Sequence, residues 1–277
     1  MENPFGLYTK DPGILGLMIM LVTGSLTLSA QDTEAVIKRN SLNIPFRKYG
    51  LSIGNSVIFN GIRINFIDKD VQQINGLNLA GWTKDNGVNE VVNGFNIGII
   101  PNSRLSRAIT IGLYGAGGDK INGFVYGTVA VGSKTINGIS IAGLINASAG
   151  DLTGISLAGI GIFTHKTING IAISVPFINA EENINGVAID AGYIQSKKIF
   201  RGLAITTGYL NASKYRGVSF SSYSRFGCMS GLSFALFNHT SELHGLQVGL
   251  LNYAGNNPKA LRLLPVINLH LGKEKKL

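Results

Sequence analysis

The sequence predicts an all-β protein, and three observations lead to that prediction. Glycine recurs at intervals of 14 to 16 residues through the second half of the 277-residue chain. Apolar residues stand one and three places after each of these glycines, with a small or polar residue between them. Asn-Gly pairs, which readily adopt the positive φ of tight turns, precede many of these segments. Alternation with a period of two is typical of β-strands, so each unit is interpreted as a strand and a turn.

The repeat is clearest in the unit that begins at Gly186, where Val187 and Ile189 are apolar and Ala188 is small. Leu203 and Ile205 take the same places in the next unit. Nine glycines mark the repeat in this part of the chain: Gly123, Gly138, Gly154, Gly170, Gly186, Gly202, Gly217, Gly231 and Gly245.

The first thirty residues are predicted to be a signal peptide. An apolar run from Gly13 to Ala30 follows Lys10, and Ser29 and Ala30 are small residues suited to a cleavage site. The run is also near the lower length limit of a membrane-spanning helix, so a retained anchor is the alternative. Either interpretation places the protein outside the cytoplasm, in the outer membrane or at the cell surface.

The rest of the chain is predicted to form one domain, since no linker divides it. We expect an N-terminal lead-in over residues 31–42, a single β-repeat domain over residues 43–272 and a basic tail over residues 273–277.

Two architectures bury such repeats. The main prediction is an antiparallel meander closed into a membrane-type β-barrel, because each alternating stretch has about the 9 to 11 residues that a membrane-spanning strand needs. The apolar end segment from Leu263 to Leu271, which lacks a polar cap, favours the same fold. The alternative is a parallel β-solenoid with one repeat per coil. It is favoured by a slip in the apolar phase at Ile160 and Ile162 and by asparagines that recur at one point of the repeat.

Composition and charge limit the classes of partner. Only 14% of the residues are charged, although the net charge is +9. The lysines and arginines are spread over the predicted turns and do not form a basic helix or an aromatic-lined patch, so nucleic-acid binding is not expected. Outer-membrane lipid is the expected partner, and the sequence identifies no protein or glycan partner.

The search for chemistry predicts no catalytic residues, no cofactor and no metal ligands. The four histidines lack the short spacings of metal-binding motifs. Cys228, the single cysteine, stands in a predicted turn with no histidine close in sequence and is expected to be inert. Asp190 and Arg225 interrupt small-residue strand faces. In a barrel both would face the lumen, where charge can tune ion selectivity. The alternative, which we favour, is that they are strand-end residues whose side chains reach water.

Three segments carry a resemblance to a known group of proteins. They are Gly231–Asn238 (GLSFALFN), Gly245–Tyr253 (GLQVGLLNY) and Leu263–Leu271 (LLPVINLHL). Together with the Asn-Gly-Ile motif, they resemble a largely uncharacterised group of exported, Gly-rich surface-repeat proteins of Gram-negative bacteria. The resemblance covers most of the chain after residue 30. It implies a location in the cell envelope and brings no catalytic residues.

The function expected from the sequence is that of a non-enzymatic outer-membrane or cell-surface β-repeat protein, acting as a narrow pore or as a structural envelope protein. The alternative is an exported β-solenoid that acts as a surface-binding or adhesive scaffold.

Overall fold

Each sequence repeat forms one coil of a parallel β-solenoid. In the computed structural model, Gly154 pairs with Gly138 on one side and with Gly170 on the other, in parallel register. The residues described are 41–46, 49–84 and 90–272. The predicted signal peptide, residues 31–40 of the lead-in and the basic tail lie outside them.

The described residues contain seventeen β-strands and one short 3-10 helix, Lys259–Leu261. The strands are β1 (Ser41–Phe46), β2 (Tyr49–Gly54), β3 (Ile58–Asp68), β4 (Gln73–Thr83), β5 (Val91–Ile100), β6 (Asn102–Gly112), β7 (Gly115–Gly127), β8 (Ala130–Ala142), β9 (Ile145–Ser148), β10 (Leu152–Ala158), β11 (Gly161–Thr164), β12 (Ile168–Ile173), β13 (Phe177–Ala180), β14 (Ile184–Asp190), β15 (Tyr193–Thr206), β16 (Tyr209–Ala254) and β17 (Leu263–His270).

The main prediction of an antiparallel barrel is therefore wrong, and the alternative, the solenoid, is confirmed. Alternation with a period of two arises in parallel and antiparallel strands alike, so it did not distinguish them. The repeat length does distinguish them. A step of 15 or 16 residues brings the chain once around a coil, so that equivalent residues of successive repeats stack in parallel. The slip of apolar phase near Ile160 is the corner of the coil, between β10 and β11.

Each central coil contributes one strand to each of two sheets. In the long-strand sheet, β8, β10, β12 and β14 pair in succession and then join the second half of β15. In the short-strand sheet, β9, β11 and β13 pair in succession and then join the first half of β15. Strand β16 continues both sheets around several coils without interruption.

The space between the sheets is filled by side chains from alternate positions. One apolar column lies two residues before the repeat glycines, and its members are almost completely buried: Ile121, Ile136, Leu152, Ile168, Ile184, Phe200 and Tyr215. Two residues after the glycines the inward positions are small, as at Ser156, Ala172 and Ala188. Because the interior of the described coils is occupied, the narrow pore expected of a barrel has no counterpart in them.

The Asn-Gly pairs lie within the long strands rather than in turns before them. Asn169 and Gly170, for example, belong to β12, and Gly170 has a φ of +127°. The asparagines stack on the outside, where Asn185 Nδ2 donates a hydrogen bond to Asn169 Oδ1 over 2.9 Å. The positive φ that was expected to make a turn instead makes a local irregularity that repeats in every coil.

Both ends of the described stack are antiparallel hairpins. Strand β1 pairs with β2 at the N-terminal end, and β17 pairs with the last part of β16 at the C-terminal end. The apolar side chains Leu263 and Ile267 of β17 point outward, whereas Asn268 is buried and donates a hydrogen bond to the carbonyl of Asn252. The end segment thus closes the solenoid by reversing direction, although it lacks the polar cap expected for this fold.

Candidate functional site

The surface of the solenoid is divided lengthwise into a charged edge and an apolar edge. The charged edge consists of the turns that precede the long strands. All ten Lys and Arg residues between residues 104 and 216 stand one to five places before a repeat glycine or before Ala108, which takes the equivalent position. Ion pairs join successive coils there, with nitrogen–oxygen distances of 2.9 Å for Lys134–Asp119 and 2.8 Å for Lys197–Glu181.

The apolar edge consists of the turns that follow the long strands. Leu113 is 69% exposed, Tyr114 is 59% exposed and Val175 is 56% exposed. Leu144 is also exposed. Its backbone N–H donates a hydrogen bond to Val129 O over 3.0 Å, so the turns of these two successive coils lie next to each other. These exposed apolar residues stand on three coils between Leu113 and Val175, and the turns further along the stack expose Ala191 and Thr207 instead. Exposed apolar patches mark a surface that contacts something other than water.

The outer face of the long-strand sheet extends this apolar surface. Ile139, Ile155 and Ile171 stand one place after their glycines and stack in register on neighbouring strands. Each remains more than one-third exposed. After each of these glycines, the alternation therefore places a small residue inside and branched aliphatic residues on the outer face.

A tyrosine ladder lies on the short-strand sheet, in the coils that follow Val175 and Phe177. The ring centroids of Tyr193 and Tyr209 are 5.3 Å apart, and those of Tyr209 and Tyr223 are 5.2 Å apart, with the rings nearly parallel. Partial burial raises the pKa of both Tyr193 and Tyr209, while hydrogen bonds to Asn211 and Arg225, respectively, act in the opposite direction. The ladder thus has an apolar side and a hydrogen-bonded side.

A shallow depression lies beside the tyrosine ladder, toward the charged edge. It has a volume of about 370 Å³ and is lined by Asn211, Ser213, Arg225, His239 and Ser241, among others. Burial and then the charge of Arg225 lower the pKa of His239. The ring of His239 stacks on that of Tyr253 at 4.7 Å. This strip is polar, so the short-strand face changes from aromatic to hydrophilic across its width.

Asp190 and Arg225, which a barrel would have placed in its lumen, lie on opposite sides of the sheet wall: Arg225 reaches the surface, as the strand-end alternative predicts, and Asp190 does not. Asp190 is buried at the corner after β14, where it accepts hydrogen bonds from Ser174 Oγ at 2.6 Å and from the backbone N–H of Tyr193 at 2.8 Å. Burial raises its pKa, and the hydrogen bonds from Ser174, Gly192 and Tyr193 oppose that rise. Arg225 is exposed on the outer face. Asp190 therefore holds a corner, and Arg225 is available to a partner.

A buried ionic network in the first coils was not anticipated from the sequence. Arg63 and Asp68 are fully buried, with 2.5 Å between Arg63 Nη1 and Asp68 Oδ1. Arg63 also donates to Asn78 Oδ1 over 2.8 Å. Glu90 lies nearby, 5% exposed, and burial and the charge of Asp68 raise its pKa to about 8. Arg63 stands two residues after Gly61, at the inward position that small residues occupy in later repeats.

The C-terminal coils bring together three side chains that the sequence analysis did not connect. Ligand atoms of Cys228, Glu242 and His244 all lie within 4.8 Å of one another. The sequence contained a signal for this cluster, since Cys228 and Glu242 are 14 residues apart and Gly217, Gly231 and Gly245 recur at the same step. In a solenoid, residues that are one repeat apart lie next to each other on neighbouring coils, so this spacing predicts contact only if the fold is a solenoid.

Searches of protein-family models, of curated proteins and of solved structures found no match to this chain. None of the helices in the described part of the chain is both long and apolar enough to cross a bilayer.

Proposed function

We propose that the protein is an exported, non-enzymatic β-solenoid that attaches to a lipid surface by its apolar edge and serves there as a surface-binding scaffold. The apolar edge is the observation that carries the proposal. Leu113, Tyr114, Leu144 and Val175 are exposed in turns of successive parts of the stack, where a protein surrounded by water would normally place polar residues.

A lipid surface is the occupant that best matches the rest of the cross-section. The tyrosine ladder continues the stack beyond Val175 and Phe177 and lies beside the polar strip, and tyrosine is enriched where protein passes from hydrocarbon to headgroups. The charged edge lies on the opposite side and would remain in water. An amphipathic body of this kind resembles, on a larger scale, the helices that lie in the plane of a membrane interface.

The expected binding is reversible. Complete burial of a leucine or valine side chain stabilises by about 1.5 to 3 kcal/mol, so a half-exposed one contributes about 1 kcal/mol when lipid covers it. Four such residues give about 4 kcal/mol, which corresponds to a dissociation constant on the order of 1 mM, and the apolar long-strand face adds to this value.

Flotation of the full chain with phosphatidylcholine vesicles tests the attachment. We expect the protein to float with the vesicles and to do so equally at low and high salt, because apolar contacts are not screened. The double variant Leu144→Lys/Val175→Lys is expected to reduce the floating fraction at least tenfold. The control Ala149→Lys/His165→Lys adds lysines at two exposed positions in the turns of the charged edge and should float like the parent.

Three outcomes would reject lipid attachment by this edge. The first is no flotation of the parent chain, which would assign the apolar edge to a protein partner. The second is flotation that requires anionic lipid and disappears in salt, which would assign binding to the lysines and arginines. The third is an equal loss of the floating fraction in both double variants.

Fractionation of the cell gives a second measurement. We expect to recover the protein in the membrane fraction.

A further inference from the structure

The last coils hold three side chains with the chemistry of a metal site. The sulfur of Cys228, a carboxylate oxygen of Glu242 and a ring nitrogen of His244 lie within 4.8 Å of one another. Glu242 and His244 are two residues apart on β16, so both point to the same side of the sheet, and Cys228 lies on the neighbouring coil. Each side chain belongs to a rigid strand rather than to a loop.

The orientation of His244 gives a second, independent observation. Its Nδ1 lies 2.8 Å from the carbonyl oxygen of Gly272. A carbonyl only accepts, so Nδ1 carries a proton, and in the neutral imidazole Nε2 then carries a lone pair. Nε2 is buried and has no hydrogen-bond partner among the described residues. An imidazole that donates one N–H to a backbone carbonyl and keeps the other nitrogen unprotonated is the usual state of a metal-bound histidine.

We propose that Cys228, Glu242 and His244 bind a divalent transition-metal ion, for which Zn²⁺ is the best match. Thiolate, imidazole and carboxylate are its ordinary protein ligands, at about 2.3, 2.0 and 2.0 to 2.2 Å. Tetrahedral geometry with those bonds separates the ligand atoms by about 3.4 to 3.6 Å. The exposed carboxylate of Glu242 has the freedom to close the remaining distance. Three protein ligands leave one coordination position for water or for a ligand from solution.

The position of the site gives the ion a structural consequence. Glu242 and His244 lie on the coil that pairs with β17. Gly272, whose carbonyl oxygen accepts the hydrogen bond from His244 Nδ1, lies two residues after the last residue of β17. His270 supports the same corner, with its ring 6.0 Å from that of His244 and its Nδ1 2.7 Å from Asn257 Oδ1. The ion would tie two coils together at the end where the parallel stack stops.

Metal analysis of the untagged full chain tests the site. After dialysis against ZnCl₂ and then metal-free buffer, we expect one zinc ion per chain by mass spectrometry. Cys228→Ser and His244→Ala are each expected to weaken binding at least tenfold by titration calorimetry, because each removes one of three ligands. His165→Ala, which changes an exposed histidine in another turn, is the matched control and should bind like the parent.

Cobalt(II) provides a readout in the parent chain itself, so that the test does not rest on the variants alone. Bound to the parent chain, it should show a thiolate-to-metal charge-transfer band in the near ultraviolet, which Cys228→Ser abolishes. No zinc retained by the parent, cobalt bound without the thiolate band, or zinc affinity unchanged in a folded Cys228→Ser protein would each overturn the proposal. These results bear on the metal site alone, because lipid attachment through the apolar edge is measured by flotation and does not involve these residues.

Discussion

A Cβ atom added to Gly170 would lie 2.1 Å from the carbonyl oxygen of Gly154 on the preceding coil. The same close approach recurs along the stack, for example between Gly186 and Gly170. The repeat therefore requires glycine at these positions for two reasons. Their φ is near +130°, which other residues rarely adopt, and the neighbouring backbone occupies the space that a Cβ atom would need.

Gly170→Ala is expected to destabilise the protein by about 3 kcal/mol, since it adds backbone strain and a steric clash that neither coil can relieve alone. The urea midpoint of unfolding measures the loss. Gly115→Ala is the control, because its Cβ would meet its nearest neighbouring atom at 3.2 Å and its φ is not in the positive range. Equal losses in the two variants would show that the stacked glycines have no special role.

Ala108 occupies the place of a glycine in this ladder, with a φ of +140°. Ala108→Gly should therefore stabilise the protein by about 1 kcal/mol, because relief of strain exceeds the entropy that glycine loses on folding. The contrasting variant is Ala147→Gly on β9, where no positive φ is needed and a loss of about 0.5 to 1 kcal/mol is expected. A lower midpoint for Ala108→Gly would mean that its backbone is not strained.

The period of two in the sequence correctly predicted strands and the side on which many residues lie. Ile171 is exposed and Ala172 is fully buried, as the alternation around Gly170 required. This part of the fold is local, because successive side chains of any extended strand point to opposite faces.

Strand direction and the clusters that depend on it were not predictable in the same way. Parallel pairing depends on contacts between residues 14 to 16 positions apart. The alternation within a strand gives no information on which strand it pairs with or in which direction. Asp190 illustrates the consequence: from the sequence it was expected to face a lumen or to reach water at a strand end, whereas it is buried and accepts hydrogen bonds from the backbone of a corner. Cys228 and His244 were likewise judged from their sequence neighbours, although the neighbouring coil supplies their contacts.

The buried pair Arg63–Asp68 should contribute far more to stability than the exposed pairs of the charged edge. Asp68→Asn leaves the guanidinium of Arg63 buried without its counter-ion, and a loss of about 3 to 5 kcal/mol is expected. Asp119→Asn, which breaks the exposed pair with Lys134, should change stability by less than about 1 kcal/mol. Denaturant titrations of the two variants make the comparison, and similar losses would contradict a dry environment for Arg63.

Glu90 gives the stability of the first coils a dependence on pH. Its pKa is raised by burial and then by the charge of Asp68, from 4.5 to about 8, against the opposing effect of Arg63. The folded protein therefore keeps the proton of Glu90 at pH values where the unfolded chain has lost it. This contribution is fully present below pH 4.5 and is lost progressively as the pH rises toward 8.

Glu90→Gln removes the titrating group and keeps a neutral side chain of nearly the same shape. The variant should unfold at the same denaturant concentration as the parent near pH 4 and at a higher one at pH 8, because only the parent must keep a buried carboxyl protonated there. Glu181→Gln, at the charged edge, is the control and should leave the slope between these pH values unchanged. A Glu90→Gln variant with the same slope as the parent between pH 5 and 8 would show that Glu90 does not titrate in a buried site.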